Sequence, residues 1–134
     1  MSQALADATF TAITLTTEEY DTGGYHSTVT NTSRITPTKA GYYRFTGAVV
    51  FEATSTPVAV DVHFRKNGSA SLIPAIRVGG ATTILSQQVT VTEPMNGSGD
   101  YIELMGRQDS AGADNTQVNL PFACCVEWEY VRPL

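Results

Sequence analysis

Apolar residues recur with period two along most of the chain, which is the spacing of a half-buried β-strand. No window of about 11 residues or more keeps the i, i+3, i+4, i+7 spacing of an amphipathic helix. The pattern therefore predicts an all-β fold, an antiparallel β-sandwich or jelly roll, with turn signals at sandwich-like intervals. About eight strands are predicted, at residues 9–15, 26–35, 41–51, 58–65, 72–78, 82–92, 101–105 and 123–131.

The third predicted strand has the clearest alternation, and Gly47 interrupts its apolar row, which indicates a bulge or a close backbone approach. The next strand alternates apolar residues with Asp61, His63 and Arg65. It stops at Asn67-Gly68, the dipeptide that best tolerates positive φ in a tight hairpin turn. The predicted core comprises Tyr43, Phe45, Val49, Phe51, Val60, Val62, Phe64, Ile102, Leu104, Val126 and Trp128.

Length and composition limit the class of protein. With 134 residues, 42% apolar and 16% charged, the chain is expected to fold as one domain, residues 8–134, after an N-terminal arm at residues 1–7. The net charge of -5 argues against a nucleic acid or an anionic membrane as partner. The N-terminus lacks the basic segment and apolar core of a signal peptide, and no apolar run approaches the ~20 residues of a membrane span.

The supply of catalytic groups is thin. His26 and His63, the only two histidines, are expected to be surface or interface residues, and the sequence has no Gly-X-Ser-X-Gly signature of acyl transfer. The Asn-Gly-Ser segments are expected to be turns, since neither ends in the Lys-Ser or Lys-Thr of a phosphate loop. No catalytic residue, cofactor or metal ligand is therefore predicted.

Two further features have alternative interpretations. Cys124 and Cys125 are adjacent in a predicted strand and point to opposite faces, which favours free buried thiols over an interchain disulfide or a metal site. The loop that holds Asp109, Asp114 and Asn115 offers oxygen ligands of the kind that calcium takes, but it matches a calcium loop poorly. We expect this loop to be solvated and to contact partners.

Four motifs follow one another in a characteristic order. They are Gly41-Tyr42-Tyr43-Arg44-Phe45, Lys66-Asn67-Gly68-Ser69, Gly99-Asp100-Tyr101-Ile102-Glu103-Leu104 and Val126-Glu127-Trp128. In order and spacing they resemble the jelly-roll module of the tumour-necrosis-factor and complement-globular-head superfamily, in the form that bacteriophage virion proteins carry. The resemblance covers about residues 8–131.

The resemblance implies a homotrimer in which one sheet of each sandwich faces the three-fold axis. On that analogy Ile102 and Leu104 fill the sandwich. Tyr101, Glu103 and Met105 then face neighbouring chains. The alternation agrees, because Tyr101 and Met105 would otherwise be stranded on a solvent face; the alternative is that they lie under a loop. No stalk precedes the strand pattern, so attachment is expected through the N-terminal arm or a face of the trimer.

The resemblance also implies a function in the virion. The leading expectation is a non-enzymatic structural protein of a tailed phage, assembled in the host cytoplasm and displayed as a capsid decoration or cement protein or as a minor tail component. Its partners are then itself and other virion proteins. The nearest alternative is a receptor-binding head whose 109–115 loop contacts host cell-surface carbohydrate, and a remote third is a small β-sandwich enzyme.

Overall fold

The computed structural model describes residues 3–51, 59–79, 85–111, 114–115 and 124–134, and for residues 70–79, 85, 114 and 115 the backbone alone. Within these ranges the chain contains strands, turns and irregular segments but no helix, so the all-β prediction is confirmed. The strands are β1 (Ala4–Leu5), β2 (Thr11–Ala12), β3 (Arg34–Ile35), β4 (Gly41–Phe51), β5 (Ala59–Lys66), β6 (Ala70–Gly79), β7 (Leu85–Met95), β8 (Ile102–Gln108), β9 (Asp114–Asn115) and β10 (Cys124–Arg132).

Two antiparallel sheets face each other in a β-sandwich-like arrangement. The smaller sheet has the order β10-β4-β7, and the larger has the order β2-β8-β5-β6, with β3 pairing β8 beside β2. The Phe45 ring of the smaller sheet lies 6.1 Å from the Phe64 ring of the larger one, centroid to centroid. Strand β7 lies beside β5 and β6, whereas β10 forms the opposite edge of its sheet.

The core lies between the sheets, as the alternation along the chain predicts. Strand β4 is one continuous ladder with β7, so Gly47 marks no bulge there. A Cβ added at Gly47 would lie 2.6 Å from Leu104 Cδ1 and 2.9 Å from Phe64 Cζ, which identifies a close approach between the sheets. Val126 and Trp128 are partly buried against this core, whose fully buried members include Tyr43, Phe45, Val49, Phe51, Val60, Val62, Phe64, Ile102 and Leu104.

The hairpin predicted at Asn67-Gly68 is confirmed. Both residues have positive φ, 53° and 73°, and the ladder of β5 and β6 closes at Lys66 opposite Ala70. Asparagine and glycine pay the smallest penalty in this region of backbone space. The register of this hairpin shifts between Val62 and Phe64, where the ladder is irregular.

The strand predicted at residues 26–35 is wrong over most of its length. Only Arg34–Ile35 is a strand, and His26 makes one isolated bridge with Ile35. Between them the Ser27 hydroxyl accepts hydrogen bonds from the backbone N–H groups of Val29 and Thr30. Serine and threonine offer the backbone such local partners, which favours turns over a ladder.

Strand β7 continues past the predicted end at residue 92. Its last residues, Pro94 and Met95, pair with Tyr42 and Gly41. Proline is tolerated because β7 is an edge strand in its sheet, where a missing N–H leaves no ladder partner unsatisfied. Residues 82–84, the predicted start of this strand, lie outside the described ranges.

The described part of the N-terminal arm, residues 3–7, is built into the sandwich. Leu5 is fully buried in the core, and β1 pairs with β9 in a separate two-stranded sheet. The Gln108 side chain donates a hydrogen bond of 3.0 Å to the Leu5 carbonyl, and Asp7 makes a bridge with Gln108. One apolar residue among polar neighbours has no period to detect, so the sequence pattern could not place it.

Candidate interaction surfaces

The outer face of the larger sheet carries a belt of charged side chains. Strand β5 alternates inward apolar residues with three outward ones, and the ladder sets each of these opposite an outward residue of β8. We call this surface the ionic face and define it by the pairs Asp61 with Arg107, His63 with Met105, and Arg65 with Glu103.

Glu103 is the most buried charge of the ionic face. Its carboxylate accepts hydrogen bonds from Arg65 Nη2 at 2.7 Å and from the Ser33 hydroxyl at 2.9 Å, and Arg34 Nε lies at 3.5 Å. Burial alone raises the pKa of Glu103, but these bonds and the two guanidinium charges outweigh it, so that the pKa lies below its usual value. The carboxylate is therefore ionised at neutral pH and hidden, while the arginines above it are partly exposed.

His63 lies in the same belt beneath an aromatic ring. The Phe10 ring meets the imidazole edge-on at 4.5 Å between centroids, and Arg107 pairs with Asp61 at 2.7 Å beside it. Burial lowers the pKa of His63, the Arg65 charge lowers it further, and Asp61 opposes both. His63 is thus a buried neutral imidazole at neutral pH and not a surface residue of the single chain. Its place at an interface stays a prediction.

Two of the residues predicted to face neighbouring chains, Glu103 and Met105, are buried within the chain itself. Glu103 and Met105 do point away from Ile102 and Leu104, as the alternation predicts, but both are buried within the chain, Met105 to 1% exposure. Ser33 and Arg34 bond to Glu103 from the segment of β3, and β2 pairs with β8 at Met105. The period of one strand cannot show that distant segments return to cover its outer face.

The exposed layer over the ionic face consists of different residues. Phe10 is 43% exposed although it is a large apolar side chain, and Tyr101 is half-buried with the Arg34 guanidinium 4.1 Å from its ring centroid. Phe10 was missed as a surface residue, yet its position in the sequence is out of phase with Ile13 and Leu15. In an extended segment Phe10 therefore points to the face opposite to Ile13 and Leu15, and this alternation could have identified it as a surface residue.

The loop predicted to contact partners has a structural role at its first acidic residue. The Asp109 carboxylate accepts a hydrogen bond from the Ala59 N–H, and the Asp109 N–H donates to the Ala59 carbonyl at 3.2 Å. Asp109 therefore holds the start of β5. Asp114 and Asn115 form β9 and pair with β1, and their side chains lie outside the described part of the chain.

A groove of about 430 Å³ runs between the 15–22 segment and β10. Its floor is apolar, formed by Leu15 on one side and by the half-buried Cys124, Val126 and Trp128 of β10 on the other. Cys124 and Cys125 form no disulfide bond with each other. Burial raises the pKa of the Cys125 thiol, and the neighbouring Glu127 raises it further, so this thiol stays protonated at neutral pH.

The rim of this groove is acidic, and the His26 side chain contacts one of its carboxylates. His26 Nδ1 lies 3.1 Å from the Glu18 carboxylate and Nε2 lies 3.1 Å from the Thr32 carbonyl, so that acceptors flank the ring on both sides. Asp21 accepts hydrogen bonds from two backbone N–H groups of its own loop. We call this site the acidic groove; its rim carries Glu18, Glu19, Asp21 and Glu127.

The described residues contain no group of three or more histidine, cysteine or acidic side chains placed to hold a metal ion. None of the described segments is a helix of the length and hydropathy needed to cross a bilayer. No protein-family model and no curated protein matches the sequence.

Proposed function

We propose that the protein is a non-enzymatic structural module of a tailed-phage virion, a jelly roll that assembles into a homotrimer. On this proposal it is displayed on the particle as a capsid decoration or cement protein or as a minor tail component. The virion assignment and the three-fold symmetry rest on the motif resemblance. On this proposal the chains meet through the ionic face and the segments above it, and the exposed Phe10 ring supports that choice of surface.

The observation that carries the proposal is Phe10 on the ionic face. A large aromatic side chain lies 43% exposed above a buried neutral imidazole, in a layer that also holds half-buried guanidinium groups and Tyr101. Exposed apolar side chains rimmed by polar groups mark interaction sites, and aromatic residues and arginine are enriched at the centres of interfaces. Association of chains through this layer removes the Phe10 ring from water.

The buried charges of this face support a structural role. Glu103 and Asp61 are both paired with arginines that reach them across strands or from β3, so each carboxylate joins neighbouring parts of the sheet. A general base must be free to take up a proton at working pH. A carboxylate whose pKa is held down by two arginines, as in Glu103, serves poorly in that role.

The test is the solution mass of the protein by size-exclusion chromatography with light scattering at micromolar concentration. The wild-type chain is expected to have the mass of a trimer, and Phe10→Ser to shift it to the monomer while keeping the far-ultraviolet circular dichroism spectrum. Val29→Ser is the matched control, because Val29 is an apolar residue that is 84% exposed outside the ionic face. A wild-type chain that is monomeric under these conditions contradicts the proposal.

The place in the particle needs a separate measurement. A copy number per particle that follows the capsid lattice indicates decoration, whereas one set by the tail symmetry indicates a tail component. The alternative of a carbohydrate-binding head requires the 109–115 loop to contact the sugar. Since the Asp109 carboxylate is already bonded to the backbone of β5, that loop has one polar group fewer to offer a sugar.

A further inference from the structure

The acidic groove lies along a strand edge that has no partner in the described part of the chain. Strand β10 pairs with β4 on one side only and ends the order of its sheet. Its second half, residues 129–132, is exposed throughout. An edge strand presents a row of N–H and C=O groups outside its own ladder, and over residues 126–132 this makes β10 a template for another extended segment.

The two faces of β10 differ in chemistry. Cys124, Val126 and Trp128 lie in register with Val49, Gly47 and Phe45 of β4, so they belong to the inward face and form the apolar floor of the groove. Glu127 and Glu129 alternate with them and point outward. An extended segment added beside β10 would therefore meet apolar groups with one set of side chains and carboxylates with the other.

The charge of the groove restricts the occupant. Four acidic residues line it, and among the described residues that line it there is no lysine or arginine. An uncharged glycan would have to cover these carboxylates without neutralising them, which costs desolvation energy. A second copy paired through its own β10 would bring the two acidic strands together, and like charges opposite each other destabilise a ladder.

We propose that the acidic groove binds an extended segment of a partner protein in which lysine or arginine alternates with apolar residues, by adding it to β10 as a further strand. The apolar side chains of the segment pack on Val126, Trp128 and Leu15. Its basic side chains pair with Glu127 on the outward face, and the acidic rim of the 18–21 segment attracts it. Main-chain hydrogen bonds then give affinity and the alternating side chains give specificity. This site is independent of the trimer and of the virion assignment.

Trp128 reports on the test directly, since it is the only tryptophan of the chain and lies in the floor of the groove. The probe is the synthetic peptide Lys-Val-Lys-Val-Lys-Val, blocked at both ends, titrated into the full chain while tryptophan fluorescence is recorded. The expected result is a saturable change in Trp128 emission. The matched peptide with glutamate in place of each lysine is expected to leave the emission unchanged.

Charge reversal at one exposed residue completes the test. Glu127→Lys is expected to weaken binding of the lysine peptide by about tenfold or more, as for loss of a close charge pair, and to allow binding of the glutamate peptide. Gln88→Lys is the control, because Gln88 is an exposed residue on the opposite edge strand of the same sheet. Equal affinity for both peptides, or no emission change with the lysine peptide, overturns the proposal. The proposal is also overturned if Glu127→Lys changes the solution mass of the protein and leaves its affinity for the peptide unchanged. The segment that binds β10 is then a second copy of this chain.

Discussion

At the scale of single residues, Glu103 contributes to stability although its outward position in β8 suggests an exposed side chain. We expect Glu103→Gln to lower the free energy of unfolding at pH 7 by about 1–3 kcal/mol, because buried hydrogen bonds to charged groups are lost or weakened. The lower half of that range is favoured by the partial exposure of Arg34 and Arg65, which lets water screen the charges. Urea unfolding of both chains measures the difference.

The pH dependence of this effect has a definite sign. The pKa of Glu103 is lowered in the folded chain, so its contribution is fully present above the unfolded value and is lost as the pH falls through the folded value. The gap between wild type and Glu103→Gln should therefore narrow below about pH 4.3, the ordinary pKa of glutamate. Glu129→Gln is the control, since its pair with Arg44 is more than half exposed on both sides. An equal loss in that variant would contradict the argument.

The sequence predicted the direction of the side chains on β8 but not their cover. Alternation placed Ile102 and Leu104 inward and Glu103 outward, which agrees with the structure. What buries Glu103 is Arg34, 69 residues earlier in the chain, together with Ser33. Period-two patterns describe one strand at a time, so a long-range contact with an irregular segment leaves no trace in them.

At the scale of elements, the turn between β5 and β6 also anchors β8. The Asn67 side chain donates to the Asp100 carboxylate at 2.9 Å and accepts from the Tyr101 N–H at 2.9 Å. We expect Asn67→Ala to lose about 1–3 kcal/mol of stability, because these bonds are lost and alanine is strained at positive φ. The bond from Asn67 is the main cause of the lowered pKa of Asp100.

Two variants separate the bonds of Asn67 from its backbone strain. Asn67→Gly keeps the positive φ without strain but lacks the amide, so both variants should raise the pKa of Asp100 toward its ordinary value. Carboxyl NMR titration measures this shift. Only Asn67→Ala should add the strain penalty. If the pKa of Asp100 is unchanged in both variants, the side-chain bond is not what holds the turn to β8.

Elements with local signals were predictable, and those held by distant partners were not. Asn67-Gly68 carries its turn in its own backbone preferences, and the long strand β4 has a period that covers eleven residues. Strand β3 has two residues and exists because Arg34 and Ile35 pair with Glu103 and Ile102. The acidic groove could be predicted only in part. The acidic run Glu18-Glu19-Tyr20-Asp21 can be read from the sequence, but only the fold shows that it lies next to β10.

At the scale of the whole molecule, the start of the chain closes the sandwich. The Gln3 side chain accepts from the Thr14 N–H at 2.9 Å and donates to the Ala12 carbonyl, so it continues the pairing of the larger sheet. Asp7 accepts from the Ala111 N–H at 3.0 Å. With Leu5 between them in the core, residues 3–7 connect β2 and the residues after it to the loop that follows β8.

Deletion of residues 1–7 distinguishes a core segment from an attachment arm. Removing Leu5 leaves an apolar void beside Ile13 and Phe51 near Gly106, and loss of a buried leucine side chain costs about 2–5 kcal/mol. Urea unfolding should therefore show a large loss of stability for this deletion and a similar one for Leu5→Ala. Ala4→Ser, at an exposed position of the same segment, should leave stability within about 0.5 kcal/mol. If deletion of residues 1–7 leaves the unfolding free energy unchanged and abolishes only binding to particles, the segment is an arm and Leu5 contributes nothing to the fold.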